Sequence, residues 1–250
     1  MRCTILAVFV ISWVTNFPLT TAAAEDAKEI VKKAVAAHGG ADKINKFKGV
    51  RSESKGVISI MGTDFEFTNQ SVSQFPDKQK STIQIEFMGN SITVVQLVNG
   101  ERVSLTVNGM AQEIPESQKT ELREAIQLQK IMNLTSLLED GRYELKVIPG
   151  VKVDDRETVG IAVGGKDLKE VKVFFDKQTY LVAKVERKAL DPSLSGDEVN
   201  QETIVSDYKE FNGVKKPMKT VILLDGKKFM EAVNTKVEVV EKIDDKEFND

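Results

Sequence analysis

The spacing of apolar residues changes along the chain, and each change marks a new kind of element. Between Ala27 and His38 the apolar positions recur every three or four residues, as on one face of a helix, and Gly39-Gly40 ends the pattern. A second short helical turn is predicted over Ala41 to Phe47. From Val50 the period falls to about two, which is typical of half-buried strands. The sequence therefore predicts helices at the start, followed by a sheet.

Short strands joined by tight turns are predicted over most of the remaining chain. Apolar and polar residues alternate, for example, from Phe65 to Thr68 and from Ile83 to Phe87. The strands are separated by dipeptides that accept the positive φ angles of tight antiparallel turns, namely Asn99-Gly100, Asn108-Gly109, Asn212-Gly213 and Asp225-Gly226. About ten or eleven strands in sequential hairpins indicate one strongly curved antiparallel sheet.

A mid-chain helix is predicted to interrupt this run of strands. After Pro115 the apolar residues gather on one broad side of a segment from Glu116 to roughly Leu138. Strands return at Tyr143, and Asp191 to Asn200 forms the longest loop of the second half. The apolar side of such a sheet must be covered, and the two helical regions are the available cover. The predicted fold class is α+β, mainly β: a single strongly curved antiparallel sheet covered by N-terminal and mid-chain helices.

The first 24 residues predict export. Arg2 supplies a positive charge, an apolar run extends from Ile5 to Val14, and Ala22-Ala23-Ala24 forms a small-residue cleavage site. The apolar run is shorter than the roughly 20 residues of a membrane-spanning helix, and no later segment approaches that length. We expect residues 1–24 to be a cleaved signal peptide and residues 25–250 to form one domain. The mature protein is then soluble and periplasmic, with no transmembrane segment.

Composition argues against several kinds of chemistry. Cleavage after Ala24 removes Cys3, the only cysteine, and with it disulfides and thiol nucleophiles. It also removes Arg2, which leaves 34 of the 35 basic residues against 38 acidic ones, and their interspersed signs argue against nucleic-acid binding. His38, the only histidine, is expected to cap a helix end. Because nucleophile elbows, dinucleotide fingerprints and histidine or thiolate metal sites are absent from the sequence, we expect no catalytic residue, metal or cofactor.

Paired carboxylates leave one alternative open. Asp154-Asp155 and Asp244-Asp245 are most simply turn residues whose side chains bond the local backbone. The alternative is a Ca²⁺ site at either pair, and the number of acidic residues alone does not exclude a paired-acid hydrolase. We expect the first interpretation to hold, so that the protein is not an enzyme.

Four segments resemble the periplasmic outer-membrane lipoprotein-sorting (lipoprotein carrier) superfamily, and most closely its divergent branch. They are His38-Gly39-Gly40-Ala41-Asp42-Lys43-Ile44 with the following Phe47 and Lys48, Phe174 to Thr179, Ser206 to Pro217, and Ile243 to Phe248. The resemblance implies an unclosed β-barrel with a helical lid over an apolar cavity that holds acyl chains. Carriers of this family place an Arg before the Pro that ends an early strand, where it tunes ligand hand-over. Here Phe75 precedes Pro76, so the resemblance does not imply that this protein hands over its ligand by the carrier mechanism.

The resemblance also implies a function. Burial of acyl methylenes gains about 0.8 kcal/mol each, so an apolar cavity binds lipid without catalytic groups. We expect an exported protein that binds an acyl chain, lipid or lipoprotein as a carrier or sensor, in a cavity lined by Phe65, Phe67, Phe75, Ile83, Ile85, Phe87, Leu97, Leu122 and Ile126. A sheet whose core is filled by its own side chains, with no cavity, would show the same alternation of apolar and polar residues. The alternative is therefore a non-enzymatic module that docks on another envelope protein and holds no ligand.

Overall fold

The computed structural model describes residues 26–87, 89–166, 168–192 and 197–249. The predicted signal peptide lies outside these residues. The α-helices are α1 (Ala27–Ala37), α2 (Ala41–Lys46) and α3 (Glu116–Met132), and short 3₁₀ helices occur at Thr135–Leu138 and Asp245–Phe248. None of the helices in the described ranges has both the length and the apolar character that crossing a bilayer requires.

Sixteen strands account for most of the rest of the described chain. They are β1 (Gly49–Ile60), β2 (Thr63–Gln74), β3 (Lys78–Phe87), β4 (Asn90–Asn99), β5 (Arg102–Val107), β6 (Met110–Ala111), β7 (Glu144–Ile148), β8 (Lys152–Val153), β9 (Arg156–Gly165), β10 (Leu168–Asp176), β11 (Val182–Leu190), β12 (Glu198–Ser206), β13 (Lys209–Phe211), β14 (Val214–Lys216), β15 (Lys219–Leu224) and β16 (Lys227–Val240).

Fourteen of these strands form one antiparallel sheet that does not close into a barrel. The strand order is β6-β5-β4-β3-β2-β1-β16-β15-β12-β11-β10-β9-β7, with β8 paired to β9. The first strand pairs with the last, Gly49 opposite Val240, and this joins the two halves of the chain into a continuous sheet. The predicted fold class, a single antiparallel sheet covered by helices, is thus confirmed.

The described residues form more strands than the predicted ten or eleven. The apolar pattern predicts continuous strands over Thr203–Phe211 and Val214–Leu224, and each of these is divided in the structure. Asp207 has a φ of 56°, which breaks the extended backbone, and Pro217 has no N–H group to donate. Between these breaks β13 and β14 form a separate two-stranded hairpin. Very short strands such as β6 and β8 account for the rest of the difference.

The mid-chain helix ends earlier than predicted. The sequence pattern extends to Leu138, but α3 stops at Met132 because Leu134 adopts a φ of 61°, outside the helical region. This conformation buries the Leu134 side chain, which is only 1% exposed. The following residues continue as a 3₁₀ helix, and both segments pack into the same core as α1.

The half of the sheet formed by the later strands is filled by these helices. Ile30, Val31 and Ala34 of α1 are fully buried, and they pack with the apolar residues of β9, β10 and β11, which include Ile161, Val163, Val171, Val173 and Val185. We call this side of the sheet the covered face. The main hydrophobic core therefore lies between α1, the end of α3 and the later strands.

A second, smaller core lies on the opposite face. Leu97 of β4 packs there with Ile243 and Phe248, which the C-terminal 3₁₀ helix holds against the sheet. The Asp244 carboxylate accepts a hydrogen bond from the Lys246 N–H at 2.9 Å, so it caps this helix. Asp154, in the tight turn between β8 and β9, has a φ of 51°. Asp154-Asp155 occupies this turn, whereas Asp244-Asp245 begins the C-terminal 3₁₀ helix. The described residues contain no cluster of three metal-ligating side chains.

Candidate ligand cavity

A partly open cavity of about 390 Å³ lies between α3 and the covered face of the sheet. Its volume falls within the roughly 300–1,000 Å³ typical of small-molecule sites. Most of its wall is apolar and consists of Val94, Leu105, Ile114, Leu122, Leu190, Pro192, Ile222, Leu224 and Phe229. The helices therefore fill one half of the covered face and leave a hollow over the other half.

The cavity exists because the sheet is strongly curved. Its wall includes Val94 on β4 and Ile222 on β15, and the strand order separates β4 from β15 by five spacings. In a flat sheet, five spacings of about 4.8 Å would put these strands roughly 24 Å apart. Because both residues border one small cavity under α3, the sheet must bend around the helix.

Strand register explains why these side chains face the cavity. Gln96 on β4 is directly opposite Leu105 on β5, and Gln201 on β12 is directly opposite Leu224 on β15. Residues that are directly opposite in antiparallel strands point to the same side of the sheet. Leu122 projects from α3 above them.

Polar contacts attach α3 to the sheet on both sides of the cavity. On one side, Arg187 Nη2 of β11 donates to Glu121 Oε1, and the Leu190 N–H donates to the other carboxylate oxygen at 3.0 Å. On the other side, Gln129 Nε2 donates to Gln79 Oε1 of β3 at 2.7 Å. The helix thus forms a roof that is anchored to both halves of the sheet.

The roof itself is weakly buried. Of the 17 residues of α3, Ile126 and Ile131 are the buried ones, whereas five of the 11 residues of α1 are buried. Because most helical stability in proteins comes from packing of an apolar face, α3 is held less firmly than α1.

Two of the predicted cavity residues lie on the roof. Leu122 lines the cavity, and Ile126, one helical turn later, is 5% exposed. Residues four apart share one side of a helix, so Ile126 also faces the sheet. It packs beyond the cavity wall rather than in it.

Five further predicted residues lie on the covered face beside the cavity. Phe67 is opposite Ile85, and Ile83 is opposite the cavity residue Val94, so the covered face carries a continuous apolar strip. The rings of Phe65 and Phe87 meet at the end of this strip, with centroids 5.6 Å apart. None of these five residues is part of the cavity wall itself. They extend its apolar surface towards the turns at one end of the sheet.

The structure places Leu97 and Phe75 elsewhere. Leu97 points to the opposite face, because it follows the cavity residue Gln96 directly in the strand and successive side chains alternate between faces. Phe75 lies just beyond the end of β2, where its N–H donates to the Lys48 carbonyl at 2.9 Å. Both residues were expected in the cavity, and neither lines it.

The polar residues of the cavity were not predicted from the sequence. Gln96, Gln118, Glu121, Asp191 and Gln201 complete the wall. Polar residues in alternating strands and on amphipathic helices usually face solvent, so no local signal identifies them. Leu105 and Leu224, in contrast, do follow the apolar alternation and could have been found from it.

His38 is a helix-capping residue outside the cavity. Its Nδ1 donates to the Ala34 carbonyl at 2.7 Å, and its ring meets the edge of Tyr208. Burial lowers the pKa of His38 to about 4, and burial also raises the pKa of Tyr208. The expected capping role is present, but His38 performs it as a neutral hydrogen-bond donor at neutral pH rather than as a cation.

A larger depression elsewhere on the surface is polar. It has a volume of about 710 Å³ and is lined mainly by charged residues of β10, β11 and β12, including Lys172, Glu186 and Glu202. Such a surface does not favour an acyl chain, so the smaller cavity under α3 is the better hydrophobic site.

Comparison with known proteins identifies the fold. No family model matches the sequence, and no curated protein is similar to it. Several solved structures, however, superimpose over almost their whole length. A LolA superfamily protein from Nitrosomonas europaea gives a TM-score of 0.54 at 13% identity, covering 91% of this chain and 99% of that one.

Two other structures give the same result. A DUF1329 family protein from Desulfovibrio piger has a TM-score of 0.58 at 12% identity, covering 89% of this chain and 97% of that one. A putative outer membrane lipoprotein-sorting protein domain from Vibrio parahaemolyticus has a TM-score of 0.53 at 12% identity, covering 90% and 97%. The chain has the LolA-like fold, so the resemblance drawn from the sequence is confirmed for the fold.

Proposed function

We propose that this protein binds acyl chains of a lipid or lipoprotein in the cavity under α3 and acts as a carrier or sensor in the periplasm. The observation that carries this proposal is the hollow itself: the apolar side chains that line it do not fill it. The LolA-like fold of the superimposable structures and the predicted signal peptide support the same function and location. Catalysis forms no part of the proposal.

The cavity is partly open to solvent, so water enters it when no ligand is bound. The cavity therefore holds either water or a ligand. Since most of its wall is apolar, displacement of that water by methylene groups is favourable.

The weakly buried roof gives the ligand a route of entry. Opening the first turns of α3 exposes Ile126 and breaks the polar contacts of Glu121, whereas Ile131 at the other end of the helix stays in the main core. We infer that the first turns of α3 move away from the sheet to admit the chain. The apolar strip from Val94 to Phe87 on the covered face provides the surface along which that chain lies.

An uncharged fluorescent probe tests the binding site. N-phenyl-1-naphthylamine should bind the purified protein with increased fluorescence, and Leu122→Glu should weaken this binding by at least about tenfold. Val147→Glu is the matched control, because Val147 is an apolar residue of the same face that is 46% exposed and does not line the cavity. Equal binding by both variants would exclude this cavity as the site.

A second candidate function rests on exposed apolar side chains. Met61 in the β1–β2 turn is 89% exposed, and Met110 of β6 is 66% exposed. Apolar groups of this kind favour an interaction module that docks on another envelope protein. If this function is correct, a stoichiometric partner should be recovered with the purified protein, and Met61→Ser should abolish that recovery. The preparation should contain no acyl species.

A further inference from the structure

We propose that the cavity selects acyl chains presented as esters or amides and rejects free fatty acids. This inference rests on the proposed function and specifies its ligand. It is drawn from the polar part of the cavity wall, whose described residues include amide groups without a hydrogen-bond partner and no lysine, arginine or histidine. The head that fits is an uncharged group that accepts and donates hydrogen bonds, such as a glyceryl ester.

Three glutamine side chains supply the amides. Gln96 comes from β4, Gln118 from α3 and Gln201 from β12, so they reach one cavity from three elements. Gln201 Nε2 donates to Thr203 Oγ1 at 3.3 Å. Within the described residues, the side chains of Gln96 and Gln118 make no hydrogen bond. Each amide offers an acceptor oxygen and two N–H donors, which match an ester carbonyl or a hydroxyl group.

Charge at the same wall disfavours a carboxylate. The described residues of the wall include the acids Glu121 and Asp191 but no lysine, arginine or histidine. A fatty acid that entered head first would lose its hydration without gaining a cation. Burial of an unpaired carboxylate is strongly unfavourable, whereas an ester carbonyl requires only a hydrogen bond.

Two cations of the sheet that contact α3 already have acidic partners. Arg187 contacts Glu121 and lies 3.9 Å from Glu124, and its side chain is 9% exposed. Lys169 lies 3.5 Å from Glu124 and 3.4 Å from Glu198. Neither is part of the cavity wall. An incoming carboxylate would have to compete with Glu121 for Arg187.

Glu121 is therefore the residue that sets this preference. Its two oxygens accept from Arg187 and from the Leu190 N–H, which fixes a negative charge at the wall. Replacement by Gln keeps the size of the side chain and removes that charge. The Arg187 guanidinium then keeps only the 3.9 Å contact with Glu124 and can pair with a ligand carboxylate. The substitution should convert a site that rejects fatty acids into one that accepts them.

A competition experiment tests this selectivity. 1-Monolauroylglycerol and laurate, which have the same acyl chain, are titrated at pH 8 against bound N-phenyl-1-naphthylamine below their aggregation concentrations. Wild-type protein should bind the monoglyceride at least about tenfold more tightly than laurate. Glu121→Gln should shift the ratio of the two affinities towards laurate by about fivefold or more.

Matched variants separate this effect from general changes of the roof. Glu124→Gln also removes a carboxylate near Arg187, but Glu124 does not line the cavity, so laurate should still be rejected. Gln96→Leu and Gln118→Leu should reduce the preference for the monoglyceride over laurate. Circular dichroism tests whether each variant is folded. The ratio of monoglyceride to laurate affinity in the wild-type protein tests the preference without any variant.

The outcomes distinguish the two proposals. If the probe binds, and laurate binds as tightly as the monoglyceride or more tightly, the ester preference is overturned and the proposed function stands. Failure of the probe and of both lipids to bind would overturn the proposed function and the inference together. If Glu124→Gln tightened laurate binding as much as Glu121→Gln does, the role of Glu121 would also be overturned.

Discussion

Arg187 on β11 and Glu121 on α3 form an ion pair that joins the sheet to the helix above the cavity. Only 9% of the Arg187 side chain and 19% of the Glu121 side chain are exposed, so the pair is largely removed from water. Among the described residues it is more buried than the ion pairs Arg123–Glu101 and Lys169–Glu124, which also involve α3. The carboxylate that holds the helix also lines the cavity, so a substitution of Glu121 changes both the attachment of α3 and the cavity wall.

Loss of this ion pair should destabilise the protein. Arg187→Ala leaves the Glu121 carboxylate partly buried without its cation, and removal of one partner of a buried pair typically costs about 3–5 kcal/mol. Exposure of Glu121 lowers the expected loss to about 2 kcal/mol or more in urea-induced unfolding. Lys28→Ala, which removes an exposed ion pair with Asp140, is the control and should leave stability unchanged. Equal stability of both variants would show that Arg187 does not anchor the roof.

Acid should destabilise the fold through His38. Burial lowers its pKa from 6.5 to about 4, so between these values the unfolded chain binds a proton that the folded protein does not. The contribution of neutral His38 to the free energy of unfolding is therefore complete above pH 6.5. It falls as the pH drops towards 4, by up to about 3 kcal/mol. Paired carboxylates also lose stability in acid, so wild type must be compared with His38→Asn, whose pH dependence should be shallower.

A direct titration checks the same prediction. Since His38 is the only histidine of the chain, its ring protons are identifiable by NMR. Their chemical shifts should stay constant down to about pH 5 and change only near pH 4. A midpoint near 6.5 would show that the ring is solvated and is not the neutral cap described above.

Gly39 should tolerate no side chain. It has a φ of 122°, and a Cβ atom there would lie 2.1 Å from the Gly213 carbonyl oxygen. Gly39→Ala should therefore cost more than about 2 kcal/mol in urea-induced unfolding. Gly40→Ala is the matched control, because Gly40 also has a positive φ, 86°, but open space at its Cβ position. Equal losses in both variants would mean that φ strain alone, and not the contact with Gly213, matters.

Hydrogen exchange should show that α3 is the mobile roof. Amide groups in the first two turns of α3 should exchange faster than those around Ile30 and Val31 of α1, which are fully buried. Addition of 1-monolauroylglycerol should slow exchange in α3 and leave α1 unchanged. Uniform protection of both helices without lipid would contradict a roof that opens.

Much of the fold follows from sequence periodicity, and Leu97 shows where that reasoning stops. Alternation assigns one buried face to each strand, but β4 is covered on both faces. Leu97 lies under Ile243 and Phe248, which reach it from the far end of the chain. No pattern within β4 distinguishes the face that borders the cavity from the face that the C-terminus covers.

The cavity wall depends on long-range pairing that the sequence does not reveal. Ile222 and Leu224 reach the cavity only because β1 pairs with β16, which brings the last strands beside the first. Gln96 and Gln118 look like solvent-facing residues of a strand and a helix. Their place in the wall becomes visible only when the curved sheet and α3 are assembled.

Native mass spectrometry of the protein purified from an exporting cell tests the central claim most directly. We expect wild-type protein to carry additional mass that dissociates as acyl species, and Leu122→Glu to lose it while Val147→Glu retains it. Wild-type protein that is observed only at its unliganded mass, and that takes up no 1-monolauroylglycerol when this is added, would contradict the claim that the hollow under α3 is a lipid site.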